Sequence, residues 1–338
     1  MSRLAIDATA VAPGAKGIGR VARGTAEALA ARGADVVALV RPGAEVAAET
    51  REVRARPAVL WEQLGLRRAA AEHDVVLTFT ERLPLGSGGR FVVWLYELPA
   101  RRLEQNRGTG LHQRGSDLLT RALWKHSLRR AWRVAAGSEA TATELRAALP
   151  DVEVRVVYPG LDERFSPGEG RGGARYVLHL GSTDPRDNTG TVLRAFSVVR
   201  ERALEPVRLL VAGGASGPSR DGVEFLGRVS DEELVELYRG AAAYVDATLY
   251  EGFGYQPLEA MACGAPVVAS ATTSSPEVVG DAALVVDPSD EDALADAVVR
   301  VLEELGLADD LRAKGLERAR AFTWERTADA LFALVEGA

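Results

Sequence analysis

The chain has 338 residues, enough for two domains of about 100–200 residues each. With 47% hydrophobic and 26% charged residues it can fill a large core, which excludes wholesale disorder. The net charge of −7 argues against broad electrostatic binding to nucleic acid. The apolar runs are far shorter than the roughly 18 residues of a membrane span, and the first residues carry no signal-like segment. We therefore expect a cytoplasmic protein, and its single cysteine, Cys263, excludes an intramolecular disulfide.

Short Val-rich runs alternate with helical stretches along the first half of the chain. Buried strands are expected at 4–7, 35–40, 74–79, 91–95, 134–136 and 152–158. Helices are expected at 19–32, 118–130 and 139–149. Ser138 is the predicted N-cap of the third helix. Strands that alternate with helices predict a parallel, doubly wound α/β sheet.

A polar stretch with one proline and four glycines, residues 166–174, predicts a linker, so we place a domain boundary between residues 168 and 169. The strand and helix pattern then starts again. Strands are expected at 176–180, 207–211, 223–226, 244–248, 267–269 and 283–286. Ser230 and Glu233 predict a capping box. Residues 322–338 predict a terminal amphipathic helix whose apolar stripe docks on another element.

Ligands of open parallel sheets sit beyond the carboxyl ends of the strands, so the loops there are the candidate sites. The first such loop, residues 13–20, contains Gly17-Ile-Gly-Arg-Val-Ala22, a formal match to the G-x-G-x-x-A dinucleotide fingerprint. This match keeps open a nicotinamide-dependent oxidoreductase or a sugar-nucleotide epimerase. Gly17 lies about ten residues after the first strand, however, and the second strand ends without a carboxylate for a ribose. A glycine-rich loop whose amides meet a substrate, with Gly19 and Arg20, is the favoured interpretation.

Two further loops carry polar groups at strand ends. Tyr96 and Glu97 end one strand of the first half, with ring packing and a solvated carboxylate as the structural alternative. In the second half, Gly181 and Arg186 suit a phosphate at a helix N-terminus. Asp184 and Asp187 in the same loop repel a diphosphate or, with its oxygens, form a magnesium site.

The fourth loop carries the strongest pattern. Gly252 and Gly254 let the backbone turn and approach a ligand, and Pro257 suits the first position of the following helix. We expect Glu251 on the loop and Glu259 in the first helical turn to face the same opening of the site. Two carboxylates beside backbone amides suit a ligand with many hydroxyls and a phosphate, whereas the structural alternative gives Glu259 only a role at the helix dipole.

These residues resemble the retaining glycosyltransferases of family 4, which have the GT-B fold. The resemblance rests on Glu251-Gly-Phe-Gly followed by Glu259-Ala-Met-Ala, on Gly264-Ala-Pro-Val-Val and on Pro276-Glu-Val-Val-Gly-Asp-Ala-Ala. It implies an α/β protein of two Rossmann-like doubly wound domains facing a deep cleft. Residues 1–168 would form the acceptor-side domain, residues 169–321 the nucleotide-sugar domain, and residues 322–338 a helix crossing back to the first domain.

The resemblance also implies roles for individual residues. Glu251 would be the catalytic residue that approaches the donor sugar, Glu259 would hold the ribose, and the loop from Phe225 to Gly227 would lie near the base. The implied donor-binding residues are Glu259, Gly252, Phe253, Gly254, Tyr255, Gln256, Gly181, Arg186, Phe225 and Gly227. The implied acceptor or phosphate side comprises Gly17, Gly19, Arg20, Tyr96 and Glu97. No residue is assigned to a metal, and no cofactor is expected to be required, with Mg²⁺ as the alternative.

The sequence departs from the family at three positions. Ser182 and Asp187 stand where the family usually has cations for the donor diphosphate, and Tyr96 stands where a histidine is common. The expected function is transfer of a sugar from a nucleotide-diphosphate sugar to an acceptor with retention of anomeric configuration, with Arg186, Arg20 or a divalent ion in place of the missing cations. The alternative is a catalytically inactive relative that acts as a binding or activating subunit.

The expected partners are a nucleotide-sugar donor and a glycan, lipid-linked or natural-product acceptor. Arginine clusters at 51–68 and 128–133 allow at most peripheral contact with the inner face of a membrane, the alternative being solvated helix faces. Only three of the 41 Lys and Arg residues are lysines, which with the abundant alanine suggests a bacterial, GC-rich origin and a role in polysaccharide or glycan biosynthesis. The sequence leaves open the donor base, the sugar, the acceptor and the oligomeric state.

Overall fold

The computed structural model describes residues 3–12, 17–54, 56–86, 88–99, 111–217 and 222–336. The chain divides into two compact units. Unit 1 comprises Met1–Gly160 and Thr323–Ala338, and unit 2 comprises Leu161–Phe322.

Unit 1 is built on a seven-stranded sheet in which all neighbouring strands run parallel. Its strands are β1 (Leu4–Asp7), β2 (Val36–Val40), β3 (Glu49–Glu52), β4 (Val75–Thr78), β5 (Arg90–Leu95), β6 (Arg133–Ala136) and β7 (Val154–Val156). The spatial order is β3-β2-β1-β4-β5-β6-β7. The sequence did not predict β3, whose four residues are all exposed and polar, because an edge strand of this kind has no apolar pattern.

The helices of unit 1 cover the faces of this sheet. Before residue 160 the described helices are α1 (Ile18–Ala31), α2 (Leu66–Glu72), α3 (Leu111–Arg130) and α4 (Glu139–Ala148), with an α-helical turn (Ala58–Leu60) and a π-helical turn (Trp61–Gly65) before α2. Ser138 caps α4 as predicted, since its side chain accepts a hydrogen bond from the Thr141 amide at 3.1 Å. The buried core combines aliphatic strand residues with Trp61 and Trp124.

Unit 2 has a six-stranded parallel sheet. Its strands are β8 (Tyr176–Gly181), β9 (Arg208–Gly213), β10 (Val223–Gly227), β11 (Ala243–Val245), β12 (Val267–Ser270) and β13 (Ala283–Val286). The spatial order is β10-β9-β8-β11-β12-β13. Strand β11 is shorter than the predicted 244–248, because Asp246 turns the chain by accepting hydrogen bonds from the amide and hydroxyl of Thr248.

The helices of unit 2 are α5 (Thr189–Arg202), α6 (Asp231–Gly240), α7 (Tyr255–Ala262), α8 (Ser275–Val279), α9 (Glu291–Glu303) and α10 (Leu307–Ala319). The capping box at the start of α6 is confirmed. The Glu233 amide donates to the Ser230 hydroxyl at 3.1 Å, and the Ser230 amide donates to the Glu233 carboxylate at 2.7 Å.

The glycine-rich stretch 166–174 lies within unit 2, since the unit boundary falls after Gly160 rather than after residue 168. Hydrogen bonds attach this stretch to α6. The Arg171 amide donates to the Glu236 carbonyl at 2.9 Å, and the Arg239 guanidinium donates to the Ser166 carbonyl at 2.7 Å. The stretch therefore packs as a surface segment of unit 2, although its composition is that of a linker.

The last helix, α11 (Trp324–Glu336), belongs to unit 1, where it packs against α1. Trp324 lies over two glycines, because a Cβ atom placed on Gly24 or on Gly160 would come closer than 3.0 Å to its ring. Around it, Thr327 donates to the Tyr158 carbonyl at 2.9 Å. Asp329 forms an ion pair of 2.7 Å with Arg32 at the end of α1. The predicted amphipathic helix therefore docks through a tryptophan seated on glycine backbone.

Strand order reverses once in each sheet, between β1 and β4 in unit 1 and between β8 and β11 in unit 2. Such switch points are where open α/β sheets form ligand sites, beyond the carboxyl ends of the strands. Among the described residues, no helix is both long and apolar enough to cross a membrane.

Candidate functional site

Two glycines let the carboxyl ends of β8 and β9 approach closely in unit 2. A Cβ atom on Gly181 would come closer than 3.0 Å to the Thr189 hydroxyl, and one on Gly213 would come equally close to the Gly181 carbonyl oxygen. Gly213 also has φ of +113°, which side chains rarely adopt. The predicted site residue Gly181 thus lies at the switch point of unit 2, where only a glycine fits.

The loop after β8 holds Arg186 through a carboxylate of its own. The Arg186 guanidinium donates to Asp184 Oδ2 through Nε and Nη2 at 3.0 and 2.7 Å, and its amide donates to Asp184 Oδ1 at 2.9 Å. These hydrogen bonds from Arg186 lower the pKa of the Asp184 carboxyl below its ordinary value. The Arg186 carbonyl in turn accepts from the Leu249 amide at 2.8 Å. The loop after β8 is therefore fastened to the loop after β11.

The magnesium alternative stays a prediction, because Mg²⁺ is often held by only one or two carboxylates together with substrate phosphates. The Asp184 carboxylate is occupied by the Arg186 guanidinium. Within the described ranges, no group of three or more His, Cys, Asp or Glu side chains is placed to hold a metal ion. We therefore derive no chemical step through a divalent ion.

The layer beneath these loops is buried and carries acidic groups. Burial raises the pKa of Asp246, and the nearby charge of Asp187 raises it further against the hydrogen bonds from Thr248. Burial likewise raises the pKa of Tyr244 well above its ordinary value, with added repulsion from carboxylates that include Asp187 and Glu251. Acidic side chains therefore lie beneath the loops after β8 and β11.

His179 is a buried support of this loop region that the sequence did not predict as a site residue. It is 1% exposed, with Nδ1 at 3.0 Å from the Val245 carbonyl and Nε2 at 3.1 Å from the Thr189 hydroxyl. Since a carbonyl only accepts, Nδ1 must donate, and in the neutral ring Nε2 then accepts from Thr189. Burial lowers the pKa of His179. The neutral imidazole thus links β8, β11 and the start of α5.

This burial predicts a pH dependence of stability. With a folded pKa below the ordinary 6.5, His179 contributes stability above pH 6.5 that is lost as the pH falls towards the folded pKa. We expect the free energy of unfolding to fall by up to about 1.4 kcal/mol per pH unit in that window from this residue alone. Urea unfolding of wild type and His179→Gln between pH 7 and 5 measures it. The idea is wrong if the variant shows the same slope as the wild type.

The loop after β11 ends in Gly254, which has φ of +96° and precedes the first turn of α7. No side chain caps this helix at its N-cap residue, so the first-turn amides are suited to an anion. Phe253 is 2% exposed, and its ring packs edge-on against the rings of Tyr255 and Phe322, with ring centroids 4.9 and 5.7 Å apart. Gln256 accepts a hydrogen bond of 3.0 Å from the Tyr244 hydroxyl. The Phe253 ring is therefore part of the packing beneath the loop.

The two carboxylates of this region differ in environment. Glu259 is 4% exposed, and the Tyr238 hydroxyl donates to it at 3.4 Å. Since α7 begins at Tyr255, Pro257 is the third helical residue rather than the first, and Glu259 follows the first turn instead of lying within it. A carboxylate this buried is not explained by the helix dipole alone. Glu251 is partly exposed on the loop, and Gly252 follows it there.

Phe225 and Gly227 lie at the end of the edge strand β10, two strands from β8. The β9–β10 register shifts between them, and Gly227 has φ of +69°. The Phe225 ring covers Gly217, where a Cβ atom would lie 2.8 Å from it. The structure therefore brings Gly181, Arg186 and the loop after β11 together, with Phe225 and Gly227 at the margin of the sheet.

In unit 1, the described part of the first loop starts at Gly17, while residues 13–16 lie outside the described residues. Gly17 has φ of +57° and precedes α1, Gly19 is buried, and Arg20 is half-buried. Tyr96 packs its ring against Trp94 with 5.3 Å between centroids and covers Gly137. This packing is what the structural alternative predicts, and the acceptor-side role of Tyr96 stays a prediction. Glu97, the next residue, is half-buried.

The switch point of unit 1 contains a buried carboxylate that the sequence did not predict as a site residue. Asp7 ends β1 and accepts hydrogen bonds from the hydroxyls of Thr9 and Thr78 at 2.7 and 3.2 Å and from the Trp61 indole at 3.3 Å. The one sequence signal was an acidic residue that ends an apolar strand.

A buried ion pair lies near the same end of the sheet. Arg82 donates to the Glu62 carboxylate at 2.6 Å, and the Thr80 hydroxyl donates to the same oxygen at 3.4 Å. Burial raises the pKa of Glu62, and the Arg82 charge opposes that shift. Nothing in the sequence pairs these side chains, which are 20 residues apart.

Both parts of the chain match glycosyltransferase families. Residues 15–165 match the model described as Glycosyltransferase Family 4, and residues 174–304 match the one described as Glycosyl transferases group 1. The O-antigen chain mannosyltransferase B of Escherichia coli is 37% identical over 162 residues, which are 44% of this chain and 42% of the relative. The matches to this protein and to other curated relatives span about half or less of the relatives' length.

Solved structures resemble the chain over nearly its whole length. Sucrose-phosphate synthase from Thermosynechococcus elongatus has a TM-score of 0.77 at 23% identity, covering 99% of this chain and 98% of the other. HepE from Anabaena in complex with UDP-glucose has a TM-score of 0.71 at 17% identity, covering 99% of each. The fold is that of the GT-B glycosyltransferases. The first part of the chain and the second part therefore each match one glycosyltransferase model.

Proposed function

We propose that this protein transfers a sugar from a nucleotide-diphosphate sugar to an acceptor hydroxyl with retention of anomeric configuration. The observation that carries the proposal is the position of Glu251 and Glu259 on either side of the N-terminus of α7, with the loop after β11 bonded to the Arg186 carbonyl at the switch point of unit 2. The similarity to a mannosyltransferase and to a structure in complex with UDP-glucose supports the same function.

Unit 2 carries the proposed donor site. The amides at the start of α7 take the diphosphate, because a helix N-terminus presents donors to an anion, and the Arg186 guanidinium, which Asp184 orients, adds its positive charge. Glu259 takes the ribose hydroxyls, with the Tyr238 hydroxyl fixing its carboxylate. The backbone of Gly252, Gly254 and the residues next to them approaches the sugar, and Phe225 with Gly227 borders the base.

In the proposed reaction the acceptor oxygen forms a bond to the anomeric carbon on the face from which the diphosphate leaves. The bond from that carbon to the phosphate oxygen breaks, its electron pair goes to the nucleoside diphosphate, and the proton of the acceptor hydroxyl follows. Glu251 stabilises the positive charge that develops on the sugar. The helix amides stabilise the negative charge on the leaving group.

Unit 1 supplies the proposed acceptor side. Gly17, Gly19 and Arg20 at the start of α1 face the phosphate or the acceptor, with Glu97 at the end of β5. The buried polar groups around Asp7 add hydrogen-bonding capacity at the switch point of the same sheet. A glycan, lipid-linked or natural-product acceptor fits a site of this kind.

The experiment is a thermal-shift screen against UDP, GDP, ADP and TDP and their sugars. A ligand at 100 times its dissociation constant stabilises the folded protein by about 2.7 kcal/mol, so a donor of ordinary affinity is visible without a known acceptor. We expect one nucleotide to shift the melting temperature and its sugar to release nucleoside diphosphate slowly with water. The proposal fails if no nucleotide binds and no sugar nucleotide is turned over.

Replacing Arg186 tests the donor phosphate assignment. We expect Arg186→Ala to weaken nucleoside diphosphate binding about tenfold or more, since a charge-assisted hydrogen bond contributes about 1.5–3 kcal/mol. Calorimetric titration with the nucleotide found in the screen measures the change. Arg194→Ala is the matched control, because Arg194 lies on α5 and forms an exposed ion pair with Glu291 at the start of α9. Equal affinities of wild type and Arg186→Ala would contradict the assignment.

A further inference from the structure

The segment after β12 carries five hydroxyl side chains in six residues, Ser270 to Ser275. Four of these hydroxyls reach across to the loop after β11. The Ser270 and Thr272 hydroxyls donate to the Thr248 carbonyl at 2.7 and 2.9 Å. The Thr273 hydroxyl accepts from the Glu251 amide at 3.0 Å, and the Ser274 hydroxyl donates to the Glu251 carbonyl at 2.9 Å.

These side-chain hydrogen bonds connect the two chain segments beyond the end of the sheet. The paired register of β11 and β12 ends at Val245 and Val268, and the last backbone bond between these strands runs from the Asp246 amide to the Val268 carbonyl at 2.9 Å. Beyond it the two chains separate into loops. Side-chain hydroxyls then form the hydrogen bonds between the two loops that backbone groups no longer form. Through Thr273 and Ser274 they bond both the amide and the carbonyl of Glu251.

The Thr273 backbone is itself unusual. Its φ is +49°, in the left-handed region, which a β-branched residue rarely occupies. Ser274 next to it is fully buried. A conformation of this kind persists where surrounding contacts enforce it, and it is concentrated at functional sites. The conformation therefore agrees with a fixed geometry at the position opposite Glu251.

We propose that Thr273 and Ser274, together called the hydroxyl clamp, are positioning residues for Glu251. The inference rests on the proposed function, in which the Glu251 carboxylate faces the donor sugar. With its amide and its carbonyl both bonded, the Glu251 backbone is fixed, so the clamp sets the point from which the carboxylate extends. A displacement of about 1 Å in a reacting group reduces rate by roughly 100-fold, whereas nucleotide binding at α7 does not depend on it.

The clamp is tested with Thr273→Val and Ser274→Ala, and with Thr273→Ser as the conservative variant that keeps the hydroxyl. The readout is nucleoside diphosphate release from the sugar nucleotide identified by the thermal-shift screen. We expect kcat to fall by about 10- to 100-fold in the first two variants, with the dissociation constant of the nucleoside diphosphate unchanged. Thr273→Ser is expected to retain most of kcat. Ser197→Ala is the control, because its hydroxyl bonds the Leu193 carbonyl on the exposed side of α5.

A second measurement is independent of turnover. Amide hydrogen exchange at Glu251 is expected to be faster in Thr273→Val than in wild type and near wild type in Thr273→Ser. Unchanged exchange in Thr273→Val overturns the proposal, and so does faster exchange with wild-type kcat. If Glu251→Gln keeps full turnover, the catalytic role of Glu251 fails instead, and if no sugar nucleotide is turned over, the proposed function fails. The exchange result then still decides whether the clamp holds the Glu251 backbone.

Discussion

Replacing Glu251 with glutamine is expected to lower kcat by about 1,000-fold and to leave nucleoside diphosphate affinity within about threefold of wild type. The change keeps the shape of the side chain and removes its negative charge. Loss of one preorganised electrostatic group that stabilises a transition state costs roughly 100- to 1,000-fold in kcat. Because the nucleotide meets the α7 amides and Glu259 in the proposed site, its binding should persist. Initial rates of nucleoside diphosphate release and a calorimetric titration measure both effects.

The control for Glu251→Gln is Glu304→Gln, which removes an exposed carboxylate that pairs with Arg300 at the end of α9. We expect its kcat and nucleotide affinity to match wild type. A Glu251→Gln enzyme with more than a tenth of wild-type kcat would refute the catalytic role of this residue. An equal loss of nucleotide binding would instead mean that Glu251 holds the donor in its ground state.

Replacing Gly24 with alanine is expected to lower the free energy of unfolding by about 3 kcal/mol. In most helices this substitution stabilises by up to about 1 kcal/mol, because alanine has the higher helix propensity. Here the added methyl group would lie closer than 3.0 Å to the Trp324 ring. Overpacking of this kind typically costs about 1–3 kcal/mol and has to be relieved by displacing α11. Urea unfolding followed by tryptophan fluorescence measures the loss.

Gly190→Ala is the matched control for Gly24→Ala. Gly190 is also helical, in α5, but an added methyl group there meets only the end of the Arg194 side chain at 3.4 Å. We expect this variant to be unchanged or slightly more stable. If both alanine variants behave alike, Trp324 does not need the space over Gly24.

Local pattern was enough to predict most of the secondary structure. Buried parallel strands are continuous apolar runs, so β2 and β5 stand out from the sequence. Helix starts with side-chain caps, such as Ser138 and Ser230, were equally visible. The exposed edge strand β3 was missed because its pairing with β2 requires no apolar side chain.

The supports of the candidate site could not be predicted in the same way. Glu251 and Gly254 stand in one recognisable loop, but the hydroxyls that hold Glu251 come from residues 22 and 23 positions later. Arg186 and Asp184 were present in the sequence as two opposite charges, and only the geometry of the loop shows that the two side chains pair. Contacts between distant segments depend on register and loop conformation, which composition and spacing do not specify.

The placement of α11 also has a consequence for how the chain acquires its structure during synthesis. Unit 2 is one continuous stretch, Leu161–Phe322, whereas unit 1 needs Thr323 and the residues after it to cover α1. On a ribosome, unit 2 is therefore fully synthesised before unit 1 has received its last helix. Until then the glycine surface of Gly24 and Gly160 lacks Trp324. Unit 1 is thus the first unit to be synthesised and the last to complete its packing.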